Sequence, residues 1–121
     1  MSTGIIVFAH GSRIEAANES VRALAAALAR AGSFPHVEPA FLELGRPDLA
    51  GAVDRLAARG VDRIVVIPYF LTLGIHLERD LPQLVTALMA SHPGIAIHVT
   101  PPLDGHPALL DILLDRSREA L

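Results

Sequence analysis

What most constrains this chain is an alternation. Four short apolar runs are separated by longer stretches of helical periodicity. The first run, Gly4 to Ala9, is continuously apolar instead of alternating, the pattern of a strand buried on both faces. From about Glu15 to Arg30 a helical stretch sets Val21, Leu24, Ala25 and Leu28 on one side, and Gly32 is expected to end it. The second run, Val37 to Leu42, leads to Asp48, an N-cap for a helix through Arg59 that Gly60 terminates. The third and most apolar run extends from Arg63 to Leu71. After a loop, Asp80-Leu81-Pro82 is expected to open a third helix, because proline suits a first turn. The fourth run, Ile95 to Val99, precedes Pro101-Pro102 and a last helix from about Pro107.

Strands alternating with helices of this length imply βαβ units and right-handed crossovers. The expected fold is α/β, a three-layer domain with a four-stranded parallel sheet over residues 1–121. With 121 residues, 51% of them hydrophobic, such a domain buries roughly two-thirds of its unfolded surface and needs no staple. So small a sheet makes only one wall of a large cleft. A second copy would be needed to complete it.

Composition then narrows the chemistry. There is no Cys, and all 10 basic residues are Arg, so Lys is absent too. Disulfides, thiolate metal sites, Cys nucleophiles, Schiff bases and P-loop lysines are excluded together. A net charge of −3 disfavours a nucleic-acid binder, which would present a broad basic face. No apolar run approaches the roughly 18 residues of a membrane span, and no basic segment followed by a long apolar one opens the chain. A soluble, cytoplasmic protein is expected. His, carboxylates, Arg and a few hydroxyls remain for chemistry.

In open α/β sheets ligands bind beyond the carboxyl ends of the strands. Those positions hold His10-Gly11-Ser12-Arg13, Glu43-Leu44-Gly45-Arg46, Thr72-Leu73-Gly74-Ile75-His76 and Thr100 to His106. Each carries a Gly with a charged or imidazole side chain. His10 and His76 come after strands one and three, which become neighbours if the crossover sends strand two to the other side. The two imidazoles would face one cleft, with Glu43 at its flank. Such a donor set suits Co²⁺, Fe²⁺, Ni²⁺ or Zn²⁺. Read singly, His10 is a helix cap and His76 a loop residue; as a pair at adjacent strand ends they point to function. His36, His92 and His98 read as structural, and His106 as either a site residue or the start of the last helix. Arg13, Arg46 and Arg79 gather at the same end, where guanidinium groups suit carboxylates. Ser12 lacks the G-x-S-x-G elbow of a hydrolase, and no phosphate-binding glycine fingerprint occurs.

Taken in order, these motifs resemble the short form of the sirohydrochlorin chelatases, the CbiX/SirB family of class II tetrapyrrole chelatases. The likeness rests on His10-Gly11-Ser12-Arg13 with Asn18, on Phe41-Leu42-Glu43-Leu44-Gly45-Arg46-Pro47, and on Ile67-Pro68-Tyr69-Phe70-Leu71 with Gly74, His76 and Asp80-Leu81-Pro82. A looser match covers Pro102 to Pro107, where Asp104 interrupts the usual Leu-Gly pair. The resemblance implies insertion of Co²⁺, or of Fe²⁺ or Ni²⁺, into sirohydrochlorin on the way to cobalamin or sirohaem. It implies a homodimer of single chelatase halves, no organic cofactor, His10 and His76 as metal ligands, and His10 as proton acceptor. Arg46 and the stretch Leu71 to His76 would contact the tetrapyrrole.

That chemistry agrees with the residue inventory. Metal insertion removes two pyrrole protons while delivering a partly desolvated cation, and neutral imidazole can both hold a metal and accept a proton near neutral pH. Glu43 is a candidate second base or labile ligand. Arg46, with Arg13 and Arg79, would anchor carboxylates at the macrocycle's rim, and Leu71, Leu73 and Ile75 would supply an apolar wall. Two other classes stay open on sequence: a non-catalytic metal or tetrapyrrole carrier, and a His-nucleophile phosphoryl-transfer enzyme.

Overall fold

The computed structural model describes residues 2–121. Its elements run β1 (Thr3–Ala9), α1 (Glu15–Gly32), β2 (Val37–Phe41), α2 (Leu49–Ala58), β3 (Arg63–Pro68), α3 (Gly74–Ser91), β4 (Ala96–Val99) and α4 (Ala108–Ala120). The four strands form one parallel sheet in the order β2-β1-β3-β4. This is the expected α/β fold, with β1 and β3 adjacent.

Two apolar clusters hold the sheet. On one face Ile6, Phe8, Ala40, Ile64 and Val66 meet Leu49, Ala52, Val53 and Leu56 of α2 and Leu77, Leu81, Val85 and Leu88 of α3. On the other face Val7, Ala9 and Phe41 meet Val21 and Ala25 of α1. Inside β2, the buried Glu38 carboxylate accepts from Arg59 Nη2 at 2.7 Å and pairs with Arg55 Nη1 at 3.5 Å, tying α2 to the sheet. A buried charge persists only when paired in this way.

Helix ends follow local chemistry. Asp48 caps α2 as expected, its carboxylate accepting from the Gly51 amide at 2.8 Å, which satisfies an otherwise unpaired first-turn donor. At the end of α1, Gly32 stays inside the helix, and Ser33 takes the left-handed turn with φ 53°.

The largest correction concerns α3. It begins at Gly74, not at Asp80, so Pro82 lies inside the helix instead of in its first turn. Leu77, Leu81, Val85 and Leu88 recur at helical spacing and all face the core. Burying Leu77 requires helix on the amino side of Pro82, and burial of a leucine, worth roughly 2–3 kcal/mol, helps offset the proline's missing hydrogen bond. β3 likewise stops at Pro68, three residues short of the expected Leu71. His76 therefore sits in the first turn of α3.

Candidate functional site

The site is built where β1 and β2 end. Just past the last paired residues, Ala9 and Phe41, two backbone bonds join the loops: Leu42 N donates to Ala9 O at 2.9 Å and Glu43 N to His10 O at 3.0 Å. This sets His10 and Glu43 abreast, with Nε2 of His10 3.1 Å from Oε1 of Glu43. Both side chains are more than half exposed. The Phe70 ring stands edge-on to the His10 imidazole at a centroid distance of 6.4 Å. Gly11 makes the arrangement possible. Its φ is +93°, and a Cβ there would lie 1.7 Å from the Glu43 carbonyl oxygen, so only glycine lets the two loops approach.

Asn18 locks those loops together. It is 1% exposed. Its Oδ1 accepts from Ser12 N at 2.9 Å, and its Nδ2 donates to Ser12 O and to Leu44 O, both at 2.9 Å. One buried amide thus satisfies backbone groups from the loops after β1 and β2. Sequence reasoning met Asn18 only as part of a resemblance. A lone Asn in a helix's first turns looks like any surface residue until its burial is seen. The Ser12 hydroxyl accepts from the Ile14 amide at 3.0 Å, a turn-forming role.

Two shallow clefts lie on either side of β1. A cleft of about 540 Å³ is lined by Glu43, Arg46, Asp48 and Arg55 among others. Another of about 400 Å³, beyond β3, is lined by Thr72, Leu73, Gly74, Ile75, Glu78 and Pro102. By strand order, His10 stands between them. Leu71 and Ile75 are among the most exposed apolar side chains of the chain. His76 is exposed and makes no side-chain hydrogen bond among the described residues. No group of three or more His, Cys, Asp or Glu converges as a preformed metal cage among the described residues, so His10, Glu43 and His76 do not close into a ligand set within one chain.

The remaining candidates separate. Arg46 lines the β2-side cleft, Arg13 is exposed, and Arg79 is paired with Asp80 at 3.0 Å. His106 lies two residues before α4, where its Nδ1 accepts from Ala108 N at 3.0 Å. His92, at the end of α3, faces two acceptors, Leu88 O at 3.1 Å from Nδ1 and Asp54 Oδ1 at 3.0 Å from Nε2, so its ring is the donor. Near the site, Glu15 is shifted. The Arg22 guanidinium, aided by the Asn18 amide, holds its carboxyl below the usual range. Among the described residues no helix is long and apolar enough to cross a membrane.

A family model described as CbiX matches residues 4–120. The chain belongs to the CbiX family. Within it, the chain is 35% identical over 118 residues to the chloroplastic sirohydrochlorin ferrochelatase of Arabidopsis thaliana, covering 98% of this chain and 52% of that protein. It is 32% identical over 137 residues to the sirohydrochlorin cobaltochelatase of Methanopyrus kandleri, covering 97% and 96%. This CbiX chain thus spans about half the length of the first relative and nearly all of the second. Among solved structures, a putative cobalamin biosynthesis CbiX protein from Marinobacter aquaeolei superposes with a TM-score of 0.84 at 32% identity, covering 98% and 96%. SirB from Bacillus subtilis subspecies spizizenii in complex with cobalt shares the fold, with a TM-score of 0.90 at 24% identity over 51% of its chain.

Proposed function

We propose that this CbiX-family chain, acting as one domain over residues 1–121, is a sirohydrochlorin chelatase. It inserts a divalent metal into the tetrapyrrole, with Co²⁺ as the first choice and Fe²⁺ or Ni²⁺ as the other candidates. The single observation that carries the reading is the His10–Glu43 pair, joined by a backbone bond at the strand ends between two open clefts in a chain of this family.

The geometry suggests how the pair works. A Glu43 carboxylate 3.1 Å from Nε2 favours the His10 tautomer with its proton on that nitrogen. The Nδ1 lone pair is then open to hold the metal as it arrives or to take a pyrrole proton. Both cannot happen at one nitrogen at once, so metal release precedes proton uptake. The balance is simple: the ring exchanges two N–H protons for one M²⁺. His10 receives one proton and passes it to solvent. Glu43 stabilises the transient imidazolium and is placed to receive the second proton. His76, in the first turn of α3, is the other ligand.

Arg46 lies in the β2-side cleft, where a guanidinium would meet the tetrapyrrole's carboxylates. Leu71, Thr72, Leu73, Gly74 and Ile75 offer the flat macrocycle an exposed wall, and Arg13 is a further rim contact. A homodimer would supply the facing wall.

The test is metallation of sirohydrochlorin followed by absorbance with each of the three metals in turn. The parent chain should exceed the uncatalysed rate, His10→Ala should return it to background with unfolding unchanged, and His76→Ala should weaken metal binding. A parent rate equal to background would sink the enzyme reading and leave the carrier.

A further inference from the structure

We infer that Arg55 of α2 is a second carboxylate anchor for the tetrapyrrole, working beside Arg46 in the β2-side cleft. The inference rests on the chelatase reading and adds to it a residue that selects the macrocycle by the charge at its rim. Arg55 lies inside a helix, so a search of the residues just past the strand ends does not reach it.

What singles it out is an imbalance around Glu38. This buried carboxylate has two guanidinium neighbours, and one buried charge needs only one close partner. Arg59 meets that need, its Nη2 donating to Oε1 of Glu38 at 2.7 Å. Arg55 Nη1 stands 3.5 Å from Oε2, an ion-pair separation too long for a good hydrogen bond. Its side chain is 55% exposed. Residues 55 and 59 are one helical turn apart and share a side of α2. Arg55 is the one nearer the amino end of the helix, and it alone of the two lines the cleft that also holds Glu43, Arg46 and Asp48.

The acids of this cleft are already engaged. Asp48 accepts from the Gly51 amide at 2.8 Å as the cap of α2, and Glu43 lies 3.1 Å from Nε2 of His10. The backbone carbonyl of Arg46 accepts from Arg22 Nη2 at 3.2 Å, while its guanidinium has no acidic partner among the described residues. Two guanidinium groups with donors to spare therefore share one cleft of about 540 Å³. Such groups bind carboxylates bidentately, so the pair fits a molecule with several carboxylates on short flexible arms. Sirohydrochlorin carries such arms around a flat ring. One anchor leaves that ring free to pivot. Two anchors fix its rotation in the plane, and because Glu43 lines the same cleft, they keep the pyrrole nitrogens turned toward His10.

Binding of metal-free sirohydrochlorin, followed by the anisotropy of its own fluorescence, tests the anchor apart from turnover. Arg55→Gln should raise Kd about 5- to 10-fold. Arg55→Lys keeps the charge without the planar fork and should fall between. Arg30→Gln removes the same charge from the last turn of α1 and should stay within about twofold of the parent. Sodium chloride at about 0.5 M should narrow the gap between the parent and Arg55→Gln, because exposed charges are screened. In metallation kinetics Arg55→Gln should raise KM with kcat near the parent's. Its urea midpoint should match the parent's, since Glu38 keeps Arg59. Equal affinity of the parent and Arg55→Gln overturns the proposal and leaves the chelatase reading intact. So does a loss that Arg30→Gln reproduces. So too does a loss that persists in salt together with a lowered urea midpoint, the mark of a residue that only props α2. A parent that binds no sirohydrochlorin defeats the chelatase reading itself, and the anchor with it.

Discussion

Around the ends of β1 and β2, each loop is bonded to its neighbour through Asn18 and through the His10–Glu43 backbone contact. Around β3, Thr72 to His76 make no side-chain hydrogen bond among the described residues, and Ile75 is 83% exposed. The contrast divides the labour of a chelating site. A base has to be held within hydrogen-bond reach of its partner, which a cross-bonded pair of loops provides. A large flat ligand needs an accessible apolar wall, which a pinned and buried segment would not offer.

The strongest way to break the fixed half is Gly11→Ala. The new Cβ would overlap the Glu43 carbonyl at a left-handed backbone position, so we expect more than about 2 kcal/mol of lost stability and activity at background. Urea unfolding together with the metallation assay would show it; parent-like behaviour in both would mean the loops part without cost. Asn18→Ala comes next. It leaves Ser12 N, Ser12 O and Leu44 O without their partner, and unsatisfied buried groups cost about 1–3 kcal/mol each. Water entering the space will satisfy some of them, so a net loss of about 2–3 kcal/mol is expected, with kcat falling alongside.

The open half should respond differently. Leu71→Ser and Ile75→Ser remove exposed apolar surface and should change stability by no more than about 0.5 kcal/mol. Their effect belongs in KM for the tetrapyrrole, raised several-fold with kcat near the parent's. A fall in kcat at unchanged KM would reassign these residues. Smallest is Glu15→Gln. The Glu15 carboxyl is held below its usual value of 4.5, first by Arg22 and then by Asn18. Its stabilising contribution is therefore complete above about pH 4.5 and lost as pH falls through the lowered value. The variant should show a slightly lower urea midpoint at neutral pH and converge with the parent under acid.

Much of this organisation is legible in the sequence because it comes from periodicity. Continuous apolar runs mark the strands, Asp48 marks a helix start, and the alternation of strand and helix implies the parallel sheet. His10, Glu43 and the β3 loop stand out because each lies just past the carboxyl end of a strand. The misses share a cause: each is decided by tertiary burial rather than local preference. Pro82 reads as a helix start, but the leucines on both sides of it need one core face. Asn18 reads as a surface residue until two loops close over it. α4 is a helix as expected, but that none of its residues is buried is a tertiary fact no local pattern reveals.

The backbone bond from Glu43 N to His10 O lies just beyond the end of the sheet. The paired register ends at Ala9 and Phe41, one residue before His10 and two before Glu43, so where the two loops leave the sheet is inherited from that register. If β2 slipped by one residue, Ala40 and Phe41 would turn to the wrong faces and Glu43 would move away from His10. The alignment that buries Phe41 on one side and Ala40 on the other therefore also selects the acid partner of the imidazole. Hydrophobic packing acts here as a ruler for proton transfer, and slow hydrogen exchange at the Glu43 amide would be its signature.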